Sequence, residues 1–189
     1  MVDAVPSAWN LANLLTVLRI ALVPFFAWAL VADGGHTTTG RLIATALFVV
    51  AAATDRLDGW LARRSGQVTD LGKMLDPIAD KVLIGTALVL LSWLGDLPWW
   101  VTVIILVREL GITVYRFIAL KNRVIAASKS GKIKTLVQAV AISLFLLPIW
   151  TWVGDWFLWV NWVVMAAALV LTVYSGVSFL IKAARAQRS

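Results

Sequence analysis

Apolar runs separated by short polar breaks recur six times along this chain, at 13–32, 41–53, 75–94, 99–120, 135–150 and 156–181. A helix needs about 20 such residues to cross a bilayer. The second run is shorter and passes straight into a charged segment. Backbone groups in lipid must bond within their own segment, so apolar runs of this length fold as helices. Strand-like alternation over about ten residues, the mark of a membrane barrel, is absent. Of the 189 residues, 61% are hydrophobic, and the mean hydropathy is +0.87. That exceeds what a soluble domain carries. The pattern predicts an all-α polytopic membrane protein with six transmembrane helices. It forms a single domain, 1–189, with a short interfacial segment at about 1–12 that contains Trp9. No basic stretch precedes the first run, so no cleavable signal peptide is expected.

The polar residues narrow the chemistry. There is no cysteine, which excludes disulfides and thiol catalysis, and the one histidine, His36, sits in the polar stretch 33–40. A histidine general base is therefore not expected. The net charge of +7 does not point to nucleic acid, because the lysines and arginines flank apolar runs. Membrane lipids and phosphate are the better partners. With six spans, one side collects the basic residues of 56–73, 121–134 and 182–188, and the other receives Arg41 and little else. The basic side is the cytoplasmic one. Both termini and the charged segment 55–80 lie there, in a cell membrane protein with a polar cavity open to the cytoplasm. Trp93, Trp99, Trp100, Trp150, Trp152 and Trp156 fall near the opposite turns and read as an aromatic belt.

Four aspartates stand in that segment: Asp55, Asp58, Asp76 and Asp80. Asp55 and Asp58 are spaced i,i+3, and Asp76 and Asp80 i,i+4, so each pair shares a helix face. Both pairs border apolar runs, where one charge costs about 2.5–3.5 kcal/mol at the membrane centre. Clustered carboxylates need a compensating cation to stay ionised. Hard divalent cations take oxygen ligands, and paired ions suit phosphoryl transfer. The local reading is a two-metal, phosphate-handling site at a membrane surface.

The same residues carry a resemblance. Asp55-x-x-Asp58-Gly59-x-x-Ala62-Arg63, eight residues, then Gly72-x-x-x-Asp76-x-x-x-Asp80 resembles the signature of the CDP-alcohol phosphotransferase family, at every fixed position and spacing. The segments at 13–20, 75–81, 108–110 and 130–138 are similar to the branch of that family called phosphatidylglycerophosphate synthases. Cardiolipin synthases share several of these words. The resemblance implies transfer of a phosphatidyl group from CDP-diacylglycerol to glycerol 3-phosphate, releasing CMP, by a homodimer that uses two Mg²⁺ or Mn²⁺ ions.

It also implies roles. Asp55, Asp58, Asp76 and Asp80 would hold the metals, and Asp80 is the candidate general base. A carboxylate is a weak base in water, so burial or a neighbouring carboxylate would have to raise its pKa. Asn13, Thr16, Gly59, Ala62, Arg63 and Thr69 would contact CDP-diacylglycerol. Each has a plainer reading. Gly59 and Ala62 could serve close helix packing, Arg63 could be a snorkelling arginine, and Asn13, Thr16 and Thr69 could cap helices. Arg108, Arg116, Lys132 and Lys134 would bind the acceptor phosphate through charge-assisted bonds. Against that, Arg108 and Glu109 could form a structural pair with each other or with Arg19, and the lysines could reflect charge bias alone. Two rival functions stay open: another acceptor within the family, such as phosphatidylglycerol or an inositol phosphate, and a small transporter. The transporter would show matched, broken repeats, and none is visible.

Overall fold

A computed structural model describes residues 11–65, 70–119 and 129–188, with side chains described at 14–54, 77–115, 133–181 and Ala183. The described residues form helices joined by short turns, without strands: α1 (Leu11–Val31), α2 (Thr38–Ser65), α3 (Asp70–Trp93), α4 (Trp99–Ala119), α5 (Lys129–Leu146), the single turn α6 (Trp150–Val153) and α7 (Phe157–Arg188). The chain divides into two compact units, Met1–Leu90 and Leu91–Ser189.

In the first unit α1 packs along α2. Their contact is built on Phe26 and Phe48, both fully buried, with ring centroids 5.8 Å apart. Leu30, Ala44 and Ala51 complete it. The connection is set by local chemistry. Gly34 and Gly35 adopt φ of 71° and 75°, a region open to glycine at little cost. Gly34 N donates to the Val31 carbonyl at the end of α1. Thr37 then caps α2: its Oγ1 accepts from Gly40 N at 3.1 Å, the bond of an N-cap threonine. Thr37 also donates to Asp33, whose carboxyl is held below the usual carboxylate range by that hydroxyl. The cap starts α2 at Thr38, three residues before the apolar run that begins at Arg41. On α3, Ala79, Leu83 and Ala87 form a buried stripe at i,i+4 spacing.

In the second unit α4, α5 and α6 all pack on α7. Phe145 of α5 meets Trp162 of α7 edge to face at 5.4 Å. Asn161 of α7 is fully buried and donates to the Leu144 carbonyl at 3.1 Å. Ser92 and Thr102 share a buried bond of 2.7 Å across the Gly95 turn. Helix α5 differs from its expected span of 135–150. It begins six residues earlier and stops at Leu146, because Pro148 offers no N–H and disfavours helix in the residue before it. Trp150 passes to α6. Helix α7 runs on past the expected end at 181, through the basic tail to Arg188.

Alongside the apolar core, several polar residues are buried and many large apolar ones are exposed. Arg19, Glu109, Lys134, Gln138, Asn161 and Thr172 are buried, while Phe25, Trp28, Val107, Trp159, Val163 and Val170 are exposed. Such apolar exteriors are stable in lipid and a liability in water. Hydroxyls of Thr45, Thr113, Ser143 and Thr172 donate to carbonyls four residues back, which satisfies them without water. Two helices among the described residues contain stretches long and apolar enough to cross a membrane, Leu14–Val31 and Phe157–Ile181. Of the six expected belt tryptophans, Trp93, Trp99, Trp100, Trp152 and Trp156 are exposed and Trp150 is half-buried.

Candidate active site

Helix α2 carries Asp55, Asp58, Gly59, Ala62 and Arg63. The first four follow i, i+3, i+4, i+7, which is one face of a helix. Helix α3 starts at Asp70 rather than near Leu75, so Gly72, Asp76 and Asp80 are all helical and share a face at i, i+4, i+8. Pro77 lies inside α3 and the helix continues through it. The side chains of Asp55, Asp58, Gly59, Ala62, Arg63 and Asp76 lie outside the described residues, as does Thr69 altogether.

Asp80 is described. It is half-buried, and its Oδ2 accepts from Lys81 Nζ at 3.2 Å. The ion pair between neighbours in sequence fixes that oxygen. On α1, Asn13 and Thr16 are the third and sixth residues of the helix. Neither is its cap, because α1 begins at Leu11. The Asn13 side chain lies outside the described residues. Thr16 is buried, and Arg19, three residues on and on the same face, is fully buried.

The second unit holds a charged cluster. Glu109 of α4 is bound by Lys134 of α5 and by its neighbour Arg108, whose Nη1 lies 3.1 Å from Glu109 Oε1. Both cations reach the same carboxylate oxygen. The side chains of Lys134 and Glu109 are 3% and 4% exposed, whereas that of Arg108 is 17% exposed. Arg108 is anchored at its far end by Nη2 donating to Ser175 Oγ at 2.7 Å, and Ser175 Oγ donates onward to the Thr172 carbonyl. The approach of α7 depends on Gly176: a Cβ there would stand 3.1 Å from Arg108 Cγ.

Of the four cations expected to bind an acceptor phosphate, Arg108 and Lys134 are thus brought together, through Glu109. The side chains of Arg116 and Lys132 lie outside the described residues. Arg116 lies on α4 two turns beyond Arg108. Lys132 and Lys134 are both inside α5, and helix positions two apart do not share a face.

A sequence profile of the family described as CDP-alcohol phosphatidyltransferase matches residues 9–174. The chain belongs to the CDP-alcohol phosphatidyltransferase family. The match spans the aspartates of α2 and α3 and the Arg108–Glu109–Lys134 cluster, and so runs through both units. Among relatives, a protein named probable phosphatidylglycerophosphate synthase from Mycobacterium tuberculosis is 54% identical over 176 residues, which is 93% of this chain and 82% of that one. Two others are named CDP-diacylglycerol–glycerol-3-phosphate 3-phosphatidyltransferase. The one from Bacillus subtilis is 40% identical over 74% of this chain and 77% of its own. The one from Shigella flexneri serotype 5b is 38% identical over 94% and 96%. As a member of this family the chain is a phosphatidyltransferase.

Sequence reasoning placed Arg108 in the site but passed over the residues that hold it. Ser175 and Gly176 were missed, although a Ser-Gly pair within an apolar run is the kind of small-residue face that admits a neighbouring helix. Gln138, within the segment 130–138, was likewise missed. It is buried, one turn beyond Lys134 on the same face of α5.

Proposed function

We propose that this phosphatidyltransferase joins CDP-diacylglycerol and glycerol 3-phosphate, giving phosphatidylglycerol phosphate and CMP. The observation that carries the reading is the placement of the aspartates at i,i+3 on α2 and i,i+4 on α3, within a family match covering most of the chain. The names of the relatives support glycerol 3-phosphate as acceptor. The Arg108–Glu109–Lys134 cluster supports an acceptor that carries a phosphate.

Asp55, Asp58, Asp76 and Asp80 form an oxygen-only donor set, which fits two Mg²⁺ or Mn²⁺ ions. Bound there, the ions supply positive charge to the pyrophosphate and to the departing CMP. The chain's own residues do the rest. Arg63 holds the pyrophosphate with its fork of donors. Gly59 and Ala62 leave room for the nucleotide on the α2 face, and Asn13, Thr16 and Thr69 contribute polar contacts to it. The free hydroxyl of glycerol 3-phosphate attacks the phosphorus that bears the diacylglycerol, and its proton passes to the Asp80 carboxylate. The bond from that phosphorus to the CMP oxygen breaks. Arg108, Arg116 and Lys134 hold the acceptor phosphate, with Lys132 near the start of the same helix.

The protein is one membrane domain with six spans, α1 to α5 and α7, and works as a homodimer in the cell membrane. The cavity and both termini face the cytoplasm, where CDP-linked substrates are found. One assay tests the reaction: purified protein, labelled CDP-diacylglycerol, Mg²⁺ or Mn²⁺ and a panel of alcohols. CMP release is expected with glycerol 3-phosphate. Release only with phosphatidylglycerol or an inositol phosphate would reassign the acceptor, and hydrolysis without any acceptor would remove the transferase reading.

The orientation has its own test. A cysteine at exposed His36 or Asp155 is expected to react with an impermeant thiol reagent from outside intact cells, and one at Ser65 or Lys129 only after lysis. The natural chain has no cysteine, so the background is clean. The reverse pattern would put the aspartates on the wrong side for the proposed substrates.

A further inference from the structure

A buried lysine and a half-buried arginine converge on one carboxylate in the second unit, and the unpaired donors beside them are the informative feature. Arg108 spends Nη1 on Glu109 and Nη2 on Ser175. Its Nε is buried with no acceptor among the described residues, and so is Gln138 Nε2 one turn beyond Lys134. Arginine carries five N–H donors. Arg108, Lys134 and Glu109 together bear one net positive charge. Buried polar groups without partners are uncommon in folded proteins and call for a reason.

We infer that Glu109 and Ser175 are positioning residues of an anion receptor, holding Arg108 and Lys134 preformed for the phosphate of the acceptor. The identity of the anion as the acceptor's phosphate rests on the proposed function; the receptor itself rests on the cluster. The physical need is clear. Two cations brought into a low-dielectric interior repel each other, and each carries a desolvation cost. A carboxylate reached by both keeps them together in the absence of ligand. Ser175 fixes the far end of the Arg108 fork, and Gly176 lets α7 approach closely enough to do so. The acceptor phosphate then binds donors that are already aimed, so less ordering is required at the moment of binding.

The test compares Glu109→Gln, Glu109→Asp and Ser175→Ala with the natural protein, in detergent with CDP-diacylglycerol and lipid present. Glu109→Gln preserves shape but turns one acceptor oxygen into a donor facing two cations. Its KM for glycerol 3-phosphate is expected to rise about tenfold or more, the loss of one charge-assisted bond, with KM for CDP-diacylglycerol unchanged. Glu109→Asp keeps the charge and is expected to recover part of the loss. Ser175→Ala is expected to shift the same KM by a smaller factor. A second arm measures stabilisation against heat by inorganic phosphate alone, which binding to the folded state produces. It is expected in the natural protein and diminished in Glu109→Gln. If glycerol 3-phosphate gives no CMP with the natural protein but phosphate still stabilises it through Glu109, the acceptor reading fails and the receptor stands. If phosphate stabilises Glu109→Gln as well as the natural protein, or both KM values rise together, Glu109 serves the fold alone and the inference is overturned.

Discussion

Asparagine at Asp55, Asp58 or Asp76 is expected to abolish CMP release while leaving the helices intact. Asparagine matches aspartate in size and has a similar helix propensity, so α2 and α3 keep their form. What changes is charge. An amide oxygen is a far poorer ligand than a carboxylate for a hard divalent cation. The ions' contribution to the transition state is several kcal/mol, and a loss of about 4 kcal/mol slows turnover about a thousandfold. Circular dichroism and gel filtration in detergent check the fold, and CMP release across a range of Mg²⁺ and Mn²⁺ concentrations checks the chemistry. A variant that regains part of its rate at high metal concentration has lost a ligand. One that releases CMP at nearly the natural rate removes its residue from the metal set. Asp80→Asn belongs to the same series but differs in one respect. Its Oδ2 is engaged by Lys81, so the substitution also breaks an ion pair beside the site.

The helices were legible in the sequence because apolar runs of membrane length have few other ways to fold. Their ends were less so. The start of α2 at Thr38 rests on a threonine cap in a polar stretch that hydropathy alone assigns to the loop. The end of α5 rests on Pro148, which an apolar run conceals. The earlier start of α3 matters more for function, since it places Asp76 and Asp80 together on a helix instead of at its margin. The capping role weighed for Asn13 and Thr16 gave way for the same reason: α1 begins before both. The aspartate motif was readable because its residues are close in sequence. The Arg108–Glu109–Lys134–Ser175 cluster draws on α4, α5 and α7. Its members are separated by 25 and 67 residues, and no local pattern links them. Sequence supplied the charges deep in α4, and only the packing of helices supplied their partners.

Lys134→Met is expected to lower both stability and acceptor binding, and the two effects can be separated. Lys134 is buried and bound to Glu109. Removing one member of a buried pair costs about 3–5 kcal/mol, because the other is left charged in a poor solvent. Here the cost should fall near the lower end, since Arg108 Nη1 still reaches the same carboxylate oxygen. For a chain of this length, about 3 kcal/mol lowers the melting temperature by roughly 6–12 °C. The KM for glycerol 3-phosphate should rise about tenfold or more, one charge-assisted bond being lost. Replacing both members, Lys134→Met with Glu109→Leu, removes the buried pair, and well-packed apolar pairs often equal a buried ion pair in stability, but the partly exposed Arg108 then loses its carboxylate partner. The double variant should therefore regain only part of the melting temperature and none of the acceptor affinity. Lys134→Arg, which keeps the charge on a planar fork of different shape, should retain part of both. A Lys134→Met protein that melts like the natural one would remove the buried pair from the folded state. A double variant that regains the natural KM would remove Lys134 from the acceptor site and leave Arg108 and Arg116 to bind the phosphate.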